Sequence, residues 1–286
     1  MRSRPPRSSQ RPSRSYDSIP AVNRNLIVLD EPDTWPSAVR ALLAEGAEVL
    51  RAHALFESTR YTADPQRSER EAQAVQNPFE AGRKQLLDRI DQALADSSIL
   101  AYHCTRFTED ELQAVRTRGL IALNAEGMFE RLARRVQAGD LTQADATRML
   151  ERFKTTTADH PETRLEKVWA APSKGALLDE SGLATRLIYW GGEAILSLTH
   201  PDRHVLASIG TACIVEFSAP VSELCFYLGK SLAAFTLHQD DNADAELCDI
   251  CVEGSIAGAD VRRIVRRSDA DFETMTGCLT WGSALT

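Results

Sequence analysis

The chain has 286 residues, of which 43% are hydrophobic and 26% are charged, and its formal net charge at pH 7 is −8. These fractions are ordinary for a globular protein, and the length suffices for one large domain or for one domain with a small appendage. The excess of acidic residues repels phosphate backbones, which argues against a general nucleic-acid-binding protein.

The positions of the cysteines and the absence of long apolar segments indicate the cellular compartment of the protein. Most of the six cysteines lie within apolar runs, so we expect buried, reduced thiols instead of a disulfide framework. They are Cys104, Cys213, Cys225, Cys248, Cys251 and Cys278. No stretch approaches about 18 consecutive apolar residues, and no apolar segment lies near Met1, so the sequence predicts a cytoplasmic protein without a membrane span or secretory signal.

The first 97 residues divide into a tail and a small lead-in. Residues 1–24 are rich in Arg, Pro and Ser, and this composition predicts a disordered basic tail. Residues 25–97, here called the lead-in, are predicted to form a small α/β or helical unit. A strand at 25–30 is followed by a helix that ends at Gly46 and by a second strand at 47–50. An amphipathic helix then follows, because Leu86, Leu87, Ile90 and Leu94 recur at helical spacing.

Residues 98–286 predict a second unit of mixed composition. A strand at 98–105 leads to a capping box formed by Thr108 and Glu111, which indicates a helix that ends at Gly119. Residues 125–153 keep helical spacing and are predicted to be a helical insertion. Late β-segments at 212–217 and 246–252 complete an α+β fold with a mixed, mostly antiparallel split sheet and packed helices.

The strand at 98–105 contains the first candidate site residues. Alternation places His103 and Thr105 on one face of this strand and Tyr102 and Cys104 on the other. A histidine at a strand end can donate and accept hydrogen bonds at once, and Thr105 can orient its ring. The alternative is a histidine with a purely structural role.

Two further segments contain candidate site residues. Tyr189 and Trp190 precede paired glycines and Glu193, so two adjacent aromatic rings lie beside a flexible backbone. In the late strand, Asp249 lies between apolar neighbours, with Glu246 and Glu253 at the two ends. A carboxylate in that position faces either solvent or a polar site, because burial without partners is costly.

Together these segments resemble the ADP-ribosyltransferase-like superfamily, in its His-Tyr-acidic branch, which includes poly-ADP-ribose polymerases and diphtheria-type toxins. The resemblance spans Ser98 to Ile264 and depends on the Tyr-His-x-Thr strand at Tyr102, a central aromatic residue, and an acidic late strand ahead of a Gly-Ser-Ile turn at Gly254. Where the family often has glycine after its histidine, this chain has Cys104.

The resemblance implies a transferase that binds NAD as a substrate and cleaves the nicotinamide–ribose bond, with ADP-ribose passing to an acceptor that the sequence does not identify. His103 and Thr105 would hold the ribose, and Tyr189, with Trp190 beside it, would stack on the nicotinamide ring. Asp249 or Glu246 would stabilise the oxocarbenium-like transition state. Glu253 is a third candidate carboxylate, and Phe226, Tyr227 and Phe235 are alternative aromatic residues.

Two alternatives come from other classes of protein. A zinc-binding module is one, because His200 and His204 have His-x3-His spacing and Cys248 and Cys251 have Cys-x2-Cys spacing. Against it, an odd offset within a strand points the two cysteines to opposite faces. The other alternative is a non-catalytic interaction protein that keeps the same fold.

Overall fold

The computed structural model describes residues 25–60, 75–159, 165–177, 183–191, 195, 203–225, 228–239 and 249–277. The predicted disordered tail, residues 1–24, lies outside these ranges. Several candidate residues of the sequence analysis also lie outside them: Glu193, His200, Phe226, Tyr227, Glu246, Cys248 and Cys278.

The described residues form an α+β fold, as the sequence predicts. The helices are α1 (Ser37–Arg60), α2 (Glu80–Leu94), α3 (Glu109–Arg118), α4 (Ala125–Ala138), α5 (Gln143–Asp159), α6 (Leu183–Ile188), α7 (Arg203–Ser208), α8 (Leu228–Gln239) and α9 (Ala270–Thr276). The strands are β1 (Leu26–Ile27), β2 (Ser98–Phe107), β3 (Gly119–Leu120), β4 (Lys167–Ala170), β5 (Thr211–Pro220), β6 (Ile250–Glu253), β7 (Ile256–Ala257) and β8 (Val261–Arg266).

The main sheet has the strand order β1-β2-β5-β8, and only the β1–β2 pair is parallel. Two smaller antiparallel pairs, β3–β7 and β4–β6, lie outside it. Tyr102 and Ala171 exchange two backbone hydrogen bonds, of 3.0 and 2.9 Å, and thereby connect β2 to the residue after β4. This bridge places the β4–β6 pair beside the middle of β2.

Strand β2 separates two apolar clusters because its side chains alternate between faces. Ile99 and Ala101 belong to the first cluster, which extends from Ile27 to Ile256. Tyr102 and Cys104 belong to the second cluster. Since β1 lies in the main sheet and Ile27 in the first cluster, the lead-in residues share sheet and core with the rest of the fold.

The lead-in differs from the prediction at Gly46. The predicted helix end at Gly46 and the predicted strand at 47–50 are wrong, because α1 continues without interruption to Arg60. A Cβ atom at position 46 would lie 2.1 Å from a methyl carbon of Leu86. Glycine therefore lets α1 pack closely against α2, and this contact outweighs the weak helix propensity of glycine.

The helices flanking the site agree with their sequence signals. Helix α3 begins after Thr108, whose backbone N–H donates to the Glu111 carboxylate at 3.0 Å, and it ends at Gly119. The insertion predicted at 125–153 is the helical pair α4 and α5, joined by a turn at Gly139 with φ of 82°. Among the described residues, no helix is both long and apolar enough to cross a membrane.

Gly119 and Gly139 can be compared in a stability measurement, although ψ is −165° at Gly119, in a region nearly restricted to glycine, and 8° at Gly139, in the left-handed helical region. Both have positive φ, but a Cβ atom at Gly119 would lie 1.8 Å from the carbonyl oxygen of Ile256, whereas one at Gly139 would have no neighbour within 4 Å. We expect Gly139→Ala to cost about 1–2 kcal/mol of unfolding free energy through its backbone conformation alone. Gly119→Ala should cost more, because its backbone conformation is less accessible to alanine and because the overlap adds about 1–3 kcal/mol. Urea denaturation measures both, and equal losses would contradict the close approach of β3 to β7.

One pair of cysteines differs from the predicted reduced state. Cys225 and Cys251 are joined by a disulfide, with their Cα atoms 5.4 Å apart, so the prediction that all six thiols are free is wrong for this pair. The cause is a tertiary contact, because the Cys225 backbone N–H donates to the Cys251 carbonyl at 2.7 Å. Cys104 and Cys213 are buried free thiols. The predicted zinc ligand set is therefore wrong for Cys251.

Candidate functional site

A cavity of about 540 Å³ lies between the β2–β4 edge and the helices α3 and α4. Its floor includes His103 and Thr105 of β2 and Trp169 of β4, and Asp249 also lines it. Cavities of this size hold ligands of the dimensions of cofactors. Three predicted site residues, from two distant segments of the sequence, are thus brought together in one cavity.

His103 is a neutral hydrogen-bond acceptor at the floor of the cavity. Its Nδ1 lies 2.7 Å from the backbone carbonyl oxygen of Trp169, and since a carbonyl only accepts, Nδ1 donates. Burial lowers the pKa of His103 to about 4, against the opposing effect of this hydrogen bond. The ring is therefore neutral at pH 7, which leaves its Nε2 as a hydrogen-bond acceptor.

Cys104 also lines the cavity but is not a nucleophile. Burial raises the pKa of its thiol to about 12, so the thiolate is scarcely populated at neutral pH. Thr105, which follows Cys104 and lies on the opposite face of β2, is buried and also lines the cavity. The polar chemistry of β2 at this site is therefore that of His103 and Thr105.

Asp249 immediately precedes β6 and is held by an ion pair. Arg186 of α6 donates through Nη2 to Asp249 Oδ2 at 2.8 Å, and both residues line the cavity. The strand predicted to include Asp249 begins one residue later, at Ile250. Glu253, the rival carboxylate, is exposed at the far end of β6 and does not line the cavity.

The predicted aromatic pair at Tyr189 and Trp190 lies outside the cavity lining. A third apolar cluster is formed mainly by residues of α4, α5 and α7 together with Trp190. Tyr189 packs against this third apolar cluster, and the Arg203 guanidinium lies 6.0 Å from the centre of the Tyr189 ring. Trp190 is completely buried in the same cluster, and its Nε1 donates to Glu111 at 2.9 Å. Of the three residues of this motif that the structure describes, Gly191 alone lines the cavity.

Trp169 lines the cavity, as does Phe107 at the end of β2, and the sequence pattern did not single out Trp169 as a site residue. Val168 and Ala170 are buried, whereas Trp169 is only part-buried and lines the cavity. The signal was the two-residue alternation of β4, which places Trp169 on the opposite face from its apolar neighbours. Phe235, another aromatic candidate, packs instead against the ring of Trp35 at 5.8 Å.

Helices α3 and α4 form the opposite wall through a buried polar contact. Glu111 accepts from Arg131 Nε at 2.7 Å and from Trp190 Nε1 at 2.9 Å. Burial acts to raise the pKa of Glu111, but the charge of Arg131 and the hydrogen bonds from Thr108, Trp190 and Arg131 outweigh it, so the pKa lies below its usual value. Glu111 therefore stays ionised and fixes Arg131 beside the cavity.

The described part of the cavity lining is basic although the chain as a whole is acidic. Among the described residues that line it, the basic side chains outnumber the acidic ones. The basic residues are Arg118, Arg131, Arg134, Lys167 and Arg186, and the acidic ones are Glu111, Glu130 and Asp249. In a cleft with low-dielectric walls such an excess attracts anionic ligands.

Comparison with protein-family models, with curated proteins and with solved structures finds no match to this chain in any of the three. The class of this protein is therefore described from its fold and its site alone. It is an α+β protein with a basic cavity that is lined by a neutral histidine, a tryptophan and an ion-paired aspartate.

Proposed function

We propose that this protein binds NAD in the cavity and cleaves the bond between nicotinamide and ribose, transferring ADP-ribose to an acceptor. The observation that supports the proposal best is that His103, Trp169 and Asp249 line the same cavity. Cleavage at an anomeric carbon requires an aromatic surface for the leaving ring, a partner for the ribose hydroxyls and negative charge near the developing cation. These three residues provide those groups.

In this mechanism each residue has a separate role. Trp169 stacks on the nicotinamide ring, and His103 Nε2 accepts a hydrogen bond from a ribose hydroxyl. The bond between C1′ and the nicotinamide nitrogen breaks, and its electron pair leaves with nicotinamide. Asp249, oriented by Arg186, stabilises the positive charge that develops on the ribose. The acceptor then forms the new bond to C1′ and loses a proton.

Binding of NAD to Trp169 variants tests the proposal. NAD is expected to raise the melting temperature of the wild type in a concentration-dependent manner. Trp169→Ala should weaken binding by about 5- to 150-fold, the range that corresponds to losing about 1–3 kcal/mol of stacking on one base. Trp169→Phe should retain most of the affinity because it keeps a ring. Both variants keep the backbone carbonyl that His103 uses.

Phe129→Ala provides the control, because Phe129 is exposed on α4 and does not line the cavity. Tyr189→Ala, measured in the same series, tests the aromatic residue that the sequence predicts. Wild-type affinity in Trp169→Ala would show that Trp169 does not bind the ring. If millimolar NAD shifts no melting temperature and releases no nicotinamide, the transferase proposal fails and the interaction-protein alternative replaces it.

A further inference from the structure

Helix α4 presents two arginines to the cavity from one face. Arg131 and Arg134 are three residues apart, so they are neighbours on the helix surface, about 4.5 Å apart along its axis. Both line the cavity. The proposed mechanism uses neither of them.

Arg131 is held rigidly and has an unused donor. Its Nε donates to Glu111 at 2.7 Å, and its guanidinium lies 4.7 Å from the centre of the Trp190 ring. Its Nη2 is buried and has no hydrogen-bond partner among the described residues. A buried donor without a partner is costly, so a ligand oxygen in the cavity would relieve that cost.

Arg134 adds a second cationic group to the same face. It is exposed towards solvent and has no ion-pair partner among the described residues, unlike its neighbour Arg135, which pairs with Asp110 at 2.7 Å. Glu130, four residues before Arg134 on α4, also lines the cavity. One fixed and one unpaired guanidinium are suited to an anion with several acceptor oxygens.

We propose that Arg131 and Arg134 form a phosphate-binding subsite that holds the diphosphate of the dinucleotide while its ribose lies at His103. The subsite itself is supported by the unpartnered Nη2 and by the excess of basic residues, and its assignment to a diphosphate rests on the proposed function. The two regions belong to one site, because Arg131, Arg134 and His103 line the same cavity. The phosphate of an acceptor is the other possible source of the same chemistry.

Calorimetric titration of the full chain with inorganic pyrophosphate, ADP-ribose and a 5′-phosphorylated single-stranded oligonucleotide tests the subsite. Arg134→Gln should weaken pyrophosphate and ADP-ribose binding by about 3- to 10-fold, since it removes one charge-assisted contact. Arg131→Lys keeps a charge near Glu111 but loses the planar donors, and it should weaken both by about 10-fold or more. Arg116→Gln, exposed on α3 and outside the cavity lining, is the matched control.

Wild-type dissociation constants in both Arg131→Lys and Arg134→Gln would overturn the subsite. A loss confined to the oligonucleotide would overturn the diphosphate assignment and place an acceptor phosphate there instead. A nicotinamide-release assay separates this result from the proposed function. If the wild type releases nicotinamide but the arginine variants bind pyrophosphate as the wild type does, the subsite proposal fails and the transferase proposal stands. If pyrophosphate binding depends on the arginines but no nicotinamide is released, the subsite proposal stands and the transferase proposal fails.

Discussion

Asp249→Asn is expected to leave NAD binding nearly unchanged and to slow nicotinamide release by about 10²–10³-fold, the usual loss when one electrostatic stabiliser is removed. Asparagine has the shape of aspartate and still accepts a hydrogen bond from Arg186, so the local structure is retained. What is lost is the negative charge that opposes the cation developing on the ribose. The rate of nicotinamide release is measured under single-turnover conditions, with the released nicotinamide quantified by chromatography. The dissociation constant of NAD is measured by titration.

Glu253→Gln is the matched control, because Glu253 ends the same strand β6 but is exposed and outside the cavity lining. Its rate should equal that of the wild type. Glu246→Gln belongs in the same series, since the sequence also proposes Glu246 as the catalytic carboxylate. An unchanged rate in Asp249→Asn, with a large loss in Glu246→Gln, would transfer the catalytic role to Glu246.

The second large effect concerns stability, at Glu111. Glu111→Ala is expected to lower the unfolding free energy by about 3–5 kcal/mol, because removing one partner of a buried ion pair leaves the other uncompensated. Glu111 is 7% exposed and accepts hydrogen bonds from Thr108, Arg131 and Trp190, which belong to three different parts of the fold. Chemical denaturation followed by tryptophan fluorescence measures the loss.

Glu109→Gln serves as the comparison for Glu111. Glu109 pairs with Arg266 at 2.9 Å on the surface, and an exposed pair contributes at most about 1 kcal/mol. The contribution of Glu111 to the free energy of unfolding depends on pH, because the pKa of Glu111 is lowered in the folded state. Its contribution is present above the ordinary glutamate pKa and is lost as the pH falls through the lowered value. Equal losses in Glu109→Gln and Glu111→Ala would contradict the buried network.

The helix and strand signals nearest the site are local, and they predicted the structure well. Thr108 and Glu111 cap α3, and Gly119 ends it, because these contacts involve residues within one helical turn. The shared face of His103 and Thr105 follows from the two-residue period of a strand, which does not depend on any partner. The sequence proposed Asp249 or Glu246 as the site carboxylate, and Asp249 lines the cavity, but its catalytic role stays a prediction.

Contacts across long stretches of chain were decided by the tertiary structure. Trp169 lies beside His103 because the Tyr102–Ala171 bridge sets the register of β4 against β2, and no local pattern specifies that register. The sequence therefore favoured Tyr189, whose ring packs in the third apolar cluster instead. The pairing of Cys225 with Cys251 across 26 residues was hidden for the same reason.

The sequence by itself determined the α+β class, the capped helix α3 and the face of β2 that bears His103, since each depends on neighbours along the chain. The tertiary structure alone decided which aromatic ring joins His103, that Arg186 holds Asp249, and that α1 continues through Gly46. At Gly46 a helix propensity lower by about 1 kcal/mol is outweighed by close packing on Leu86. Local preferences are small, and burial between distant segments overrides them.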